Sequence, residues 1–169
     1  MVDAELEQLS KHVSVALLKA KVVLATAESC TGGWVAEVIT AVAGCSDWFD
    51  RGFVSYSNAA KRDMLSVSSA TLKEYGAVSE ETAREMALGA LKHSRAQVAL
   101  SITGIAGPTG GSPDKPVGTV CFGWARGTSA LRSEIHLLKG DREGVRRQSV
   151  IIALQGVLRL LAEPETILA

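Results

Sequence analysis

Apolar positions along the chain fall into two alternating kinds of pattern. Leu6, Leu9, Val13, Ala16 and Leu17 make a stripe at helical spacing over residues 3–20, with Asp3 placed to cap it. Val22 to Ala27 is an apolar, β-branched run of strand length, and Trp34 to Ile39 returns to a helical pattern that predicts a helix over 33–42. Gly52 to Tyr56 predicts a strand, Asn58 to Leu65 a short helix or turn, and Ala70 to Tyr75 another short helix. Ser79 is placed to cap a helix from Glu80 to Ser94, whose first-turn acids Glu80 and Glu81 suit the positive end of the helix dipole. Val98 to Thr103 reads as a buried strand. Gly118 to Ala125 and Ala130 to Leu138 read as two strands joined at Arg126-Gly127-Thr128, short enough to make them antiparallel. Asp141 then caps a last helix to Leu161. Such alternation predicts an α/β fold, one layered domain over 1–169 with a mixed sheet.

Composition narrows the partners. In 169 residues, 47% are hydrophobic and 21% charged, the profile of an ordinary globular chain that buries about 70% of its unfolded surface. The 18 basic and 18 acidic residues cancel, which argues against nucleic acid or an anionic membrane as partner. No apolar run approaches the ~20 residues of a membrane span, and the acidic, polar start is unlike a secretory signal. The three isolated cysteines suit a reducing, cytoplasmic setting, and with three scattered histidines they predict no bound metal.

Four clusters carry candidate chemistry. The first strand ends in Glu28-Ser29-Cys30-Thr31-Gly32-Gly33, a hydroxyl-rich turn leading into a helix. Amides at a helix N-terminus hold anions, so Ser29 is a candidate nucleophile and the amides of Thr31 to Gly33 a candidate oxyanion site; a plain capping role for Ser29 or Thr31 is the alternative. Tyr56-Ser57-Asn58-Ala59-Ala60-Lys61 follows the second strand, and a lysine of lowered pKa can act as base for a serine without any histidine. Ser57 and Lys61, four apart, form an alternative local pair, and Cys30 an alternative thiol nucleophile. Thr103 to Ser112 contains four glycines and suits an anion, yet matches neither a Walker A loop nor the dinucleotide fingerprint. Finally, Arg142, Arg146 and Arg147 open the last helix, where cations oppose the dipole and an anionic ligand would explain them.

Together these motifs resemble one family. Ala27 to Gly33, Tyr56 with Lys61, Thr103 to Pro108 with Gly110-Gly111, Lys115 to Val120, and Gly140-Asp141-Arg142 with Arg146 resemble the CinA C-terminal family, in the same order and over nearly the whole chain. The resemblance implies a layered α/β/α domain and a Ser/Lys serine amidohydrolase that converts nicotinamide mononucleotide to nicotinate mononucleotide and ammonia in pyridine nucleotide recycling. It needs no cofactor. By that resemblance Ser29 is the nucleophile, Lys61 the base and Tyr56 an auxiliary hydrogen-bonding group. The substrate-contacting set is Glu28, Thr31, Gly32, Gly33, Thr103, Gly104, Gly107, Arg142 and Arg146, with the phosphate on the 104–111 loop or against Arg142 or Arg146. The family also implies a homodimer, for which Trp48 and Phe49 are interface candidates beside their ordinary use in a core. A non-catalytic nucleotide-binding module is the rival reading. DNA processing, suggested by the family name, conflicts with the zero net charge.

Overall fold

A computed structural model of the protein describes residues 3–165. Its elements run α1 (Ala4–Ala20), β1 (Leu24–Glu28), α2 (Trp34–Thr40), β2 (Phe49–Val54), α3 (Asn58–Leu65), α4 (Ser69–Tyr75), α5 (Glu80–Lys92), β3 (Val98–Gly104), β4 (Thr119–Arg126), β5 (Ala130–Leu137) and α6 (Arg142–Ala162). Three of the expected caps are made: Asp3 accepts from the amides of Glu5 and Leu6, Ser79 from Thr82, and Asp141 from Gly144. Asp3 is also gripped by Arg147, whose guanidinium holds its carboxyl down at about 2 and ties the start of α1 to α6.

The strands form one mixed sheet in the order β2-β1-β3-β4-β5. Neighbours β2, β1 and β3 are parallel, while β3-β4 and β4-β5 are antiparallel, the latter as the short turn at Gly127 predicts. The carboxyl ends of β1, β2 and β3 therefore lie along one edge, the usual place for a site in such a sheet. Because Thr119 pairs with Leu137, β5 also finishes there. All four candidate clusters consequently emerge at the same end of the molecule.

Side chains alternate across the sheet by size. Leu24, Val98, Leu100, Ile102, Val120, Phe122 and Trp124 pack with α1, α2 and α6. Ala25, Ala27 and Ala99 point the other way, into a smaller core with Leu65, Val67, Leu72 and Met86 from the α3–α5 layer. The small residues let α5 approach closely: a Cβ on Gly123 would stand 2.5 Å from the Ala83 carbonyl oxygen, and one on Gly89 only 1.9 Å from that of Leu65. On the opposite face Gly156 makes room for Trp124, whose indole donates to the Ala153 carbonyl at 2.9 Å.

Several boundaries differ from the pattern. The first strand begins at Leu24, because Val22 closes the C-terminus of α1 by donating to the Leu17 carbonyl and the Val23 amide is taken by the Gln97 side chain. The second spans Phe49–Val54 instead of 52–56; Ser55 makes one last bond to the Glu28 carbonyl, and Ser57 already caps α3. As an edge strand, half exposed, it lacks the apolar run that marks a central one. Helix α2 stops at Thr40 and α5 at Lys92, each shorter than its apolar pattern. Trp48 is 1% exposed and belongs to the core, so it is unavailable as the interface aromatic considered above. Among the described residues no helix is long and apolar enough to cross a membrane.

Candidate active site

Strand alternation determines where the corner after β1 aims its side chains. Glu28 falls on the α2 side, so Ser29 falls on the α3 side. There Lys61 Nζ lies 3.1 Å from Ser29 Oγ and donates to the Ser55 carbonyl at 3.0 Å. Ser29 is 7% exposed and Lys61 2%. No carboxylate pairs with the amine among the described residues. Burial without a counter-charge disfavours the ammonium, and it lowers the Lys61 pKa below the ordinary lysine value. A buried amine that holds its proton less tightly than usual, beside a hydroxyl, is a candidate proton acceptor.

The rival nucleophile assignments lose their geometry. Ser57 Oγ accepts from the Ala60 amide as the cap of α3, and Lys61 reaches away from it toward Ser29. Burial pushes the Cys30 thiol up to about 11, far from the thiolate a nucleophile needs. Glu28, expected to touch substrate, is 1% exposed. Its carboxylate accepts from Thr31 Oγ1 at 2.7 Å and from the amides of Val35 and Ala36 at 2.9 and 3.2 Å. It caps α2 from seven residues away, because Gly33 at the N-cap has no side chain to do so.

The turn after Ser29 distinguishes the candidate oxyanion donors. The Gly32 amide donates to the Ser29 carbonyl and the Trp34 amide to the Thr31 carbonyl. The Ser29 amide is taken by the Ile102 carbonyl. Those of Cys30, Thr31 and Gly33 have no protein acceptor among the described residues. Gly32 thus leaves the expected donor set and Cys30 enters it. Positive φ at Gly32 (60°) and Gly33 (100°) makes the tight corner possible.

A cavity of about 790 Å³ opens beside this corner, within the range of small-ligand sites. Thr31 to Trp34 form one wall, Ala106, Pro108 and Val117 another, and the start of α6 with Arg142 and Arg146 a third. Ser29 and Lys61 are not part of its lining, although Ser29 is two residues from Thr31 in the first wall. Arg146 donates to the carbonyls of Cys30 and Thr31, both at 3.0 Å, and Arg142 to the Gly107 carbonyl at 2.8 Å and the Tyr56 hydroxyl at 3.1 Å. Tyr56 is 61% exposed and meets Arg142, with no bond to Ser29 or Lys61. Thr103 is buried and donates to the Ala77 carbonyl at 2.7 Å. Gly104 and Gly107 face β4 and Val117 too closely for a Cβ, so they hold the loop against its own stem. Neither the Ser55 carbonyl nor Trp34 was singled out in the sequence; an aromatic placed directly after two glycines was the one available signal.

Known proteins resemble this chain over nearly its whole length. A family model described as the CinA C-terminal domain matches residues 6–161. The nicotinamide-nucleotide amidohydrolase PncC of Escherichia coli (strain K12) is 57% identical over 157 residues, covering 92% of this chain and 94% of that protein. The protein of the same name from Enterobacter agglomerans is 51% identical over 159 residues, covering 94% and 97%. Among solved structures, the competence/damage inducible protein CihA from Agrobacterium tumefaciens superposes with a TM-score of 0.91 at 41% identity, over 96% of this chain and 99% of that one.

Proposed function

The chain belongs to the CinA C-terminal domain family, and on that premise we propose that it is a nicotinamide-nucleotide amidohydrolase in which Ser29 attacks and Lys61 carries the proton. The observation that carries this reading is the 3.1 Å separation of Lys61 Nζ and Ser29 Oγ in a buried setting without a carboxylate. The names of the PncC relatives give a nicotinamide nucleotide as their substrate, and for this chain we take it to be nicotinamide mononucleotide, handled in pyridine nucleotide recycling.

The chemistry follows from the site. Neutral Lys61 accepts the Ser29 proton as Oγ bonds to the carboxamide carbon. The carbonyl π electrons move onto oxygen, and the oxyanion accepts hydrogen bonds from free amides of the turn, drawn from Cys30, Thr31 and Gly33; one such donor is typically worth about 3–4 kcal/mol. Collapse expels the nitrogen, which leaves as ammonia with the proton from Lys61. Water then attacks the acyl-enzyme with the same lysine as base, releasing the carboxylate product and restoring Ser29. The ribose phosphate occupies the cavity near Arg142. Tyr56 supports that arginine from outside the reacting centre.

Ammonia release from nicotinamide mononucleotide by wild type, Ser29→Ala and Lys61→Ala tests the assignment. Turnover by wild type and loss in both variants is expected. Equal rates in all three would remove the pair from the mechanism. No turnover in wild type, with the nucleotide still bound, would leave the binding-module reading.

A further inference from the structure

Arg146 stands at the mouth of a cavity expected to take a phosphate, yet its hydrogen bonds go to protein. Nε and Nη2 donate to two successive carbonyls, those of Cys30 and Thr31, each at 3.0 Å. Its guanidinium lies over the Trp34 ring, 5.3 Å from the centroid. No carboxylate within the described residues neutralises it. Two bonds and a stacked face fix the guanidinium plane, and with it the two peptide planes that follow the serine.

In a trans peptide the carbonyl and the next amide point in opposite directions. Holding the Cys30 carbonyl toward α6 therefore turns the Thr31 N–H away from α6. Helix α6 packs on one face of the sheet and α3, which brings Lys61, on the other. The Thr31 N–H is thus turned to the side where Ser29 Oγ lies, and it has no acceptor among the described residues. The second carbonyl bond works in the same sense. Fixing the Thr31 carbonyl sends the Gly32 N–H back to the Ser29 carbonyl, which closes the turn.

We infer that Arg146 is a positioning residue for the oxyanion site: it clamps the Cys30 and Thr31 carbonyls from α6 and so presents the Thr31 N–H to the oxygen that becomes negative when Ser29 attacks. This rests on the amidohydrolase reading and assigns Arg146 a different task from gripping the substrate's phosphate.

An aldehyde analogue of the substrate, pyridine-3-carboxaldehyde mononucleotide, separates the two tasks. It shares the phosphate and ribose of nicotinamide mononucleotide. On binding, Ser29 Oγ adds to its carbonyl carbon, the π pair moves to oxygen, and the Oγ proton passes to Lys61, so it draws on the oxyanion donors as the amide does only in its transition state. For Arg146→Met the expected result is a kcat lower by about 10²–10³-fold and an aldehyde Ki raised by about tenfold or more, with the KM for nicotinamide mononucleotide within about threefold of wild type. A parallel rise in KM and Ki with little change in kcat would overturn the inference and return Arg146 to the phosphate. Should Arg146→Met lose its cooperative melt, Arg146→Lys carries the same comparison: it keeps the charge but not the fork that reaches two carbonyls. Ammonia release by wild type, measured alongside, keeps a failure of the amidohydrolase reading distinct from a failure of this one.

Discussion

Replacing Lys61 with methionine should alter stability in a way that depends on pH, and the sign follows from burial. In the folded protein the amine is 2% exposed, has no carboxylate partner and titrates below 10.5, its ordinary value. In the unfolded chain it titrates at the ordinary value. Above pH 10.5 both states are neutral, and the lysine carries no charge penalty. As the pH falls below 10.5 the unfolded state binds a proton that the folded state does not, so wild type loses stability. The loss grows at about 1.4 kcal/mol per pH unit until the lowered folded pKa is reached, and is constant below it. Methionine removes this term. It also leaves the Ser55 carbonyl without its donor, which costs about 1–3 kcal/mol at every pH. Wild type should therefore exceed Lys61→Met in stability near pH 10, with the margin shrinking or reversing toward neutral pH. Urea unfolding of both proteins at half-unit steps from pH 7 to 10.5, with equal m-values, measures the difference directly. A margin that stays flat across that range would mean that the folded lysine is protonated throughout, and the proton-acceptor argument would fail with it. The kcat/KM of wild type should rise with pH through the same inflection that the stability difference reports.

Three other outcomes follow from the packing. Gly89→Ala puts a Cβ 1.9 Å from the Leu65 carbonyl oxygen, so α3 must shift; a loss of about 1–3 kcal/mol by thermal melting should come with a fall in ammonia release, since α3 carries Lys61. Glu28→Gln weakens a carboxylate that accepts three hydrogen bonds at the start of α2, and should lower stability by about 1–3 kcal/mol in urea while the KM changes little; a large KM effect would reinstate Glu28 as a substrate contact. Tyr56→Phe removes a hydroxyl that meets only Arg142, so kcat should fall less than about tenfold; a loss as deep as that of Ser29→Ala would show that the tyrosine reaches the reacting atoms.

What the sequence disclosed, and what it concealed, divides by range. The caps at Asp3, Ser79 and Asp141 were legible because each joins residues two or three apart. The buried strands β1 and β3 were legible because both of their faces are covered, so mainly apolar and small residues run along them without polar alternation. The same uniformity hid which face each side chain takes, and with it the division into a large-residue and a small-residue layer. Edge strand β2 was displaced because half of its positions meet water. Ser29 and Lys61 could be named from their surroundings, but their contact spans 32 positions and depends on strand parity. Glu28 looked like part of a ligand turn because its true partners, at 35 and 36, lie on the following helix. Arg146 looked like an anion ligand because nothing local shows that it reaches back more than a hundred residues to the turn's own carbonyls.

The corner at Ser29 draws on both halves of the molecule. Its amine comes from α3 on one side of the sheet, and the grip on its following peptides comes from α6 on the other. Opening of either layer alone, with the second still intact, is enough to dismantle the constellation. Turnover is therefore a stricter witness of nativeness than any spectroscopic signal from a single helix, and on gentle heating it should vanish before the tryptophans of the larger core report a change.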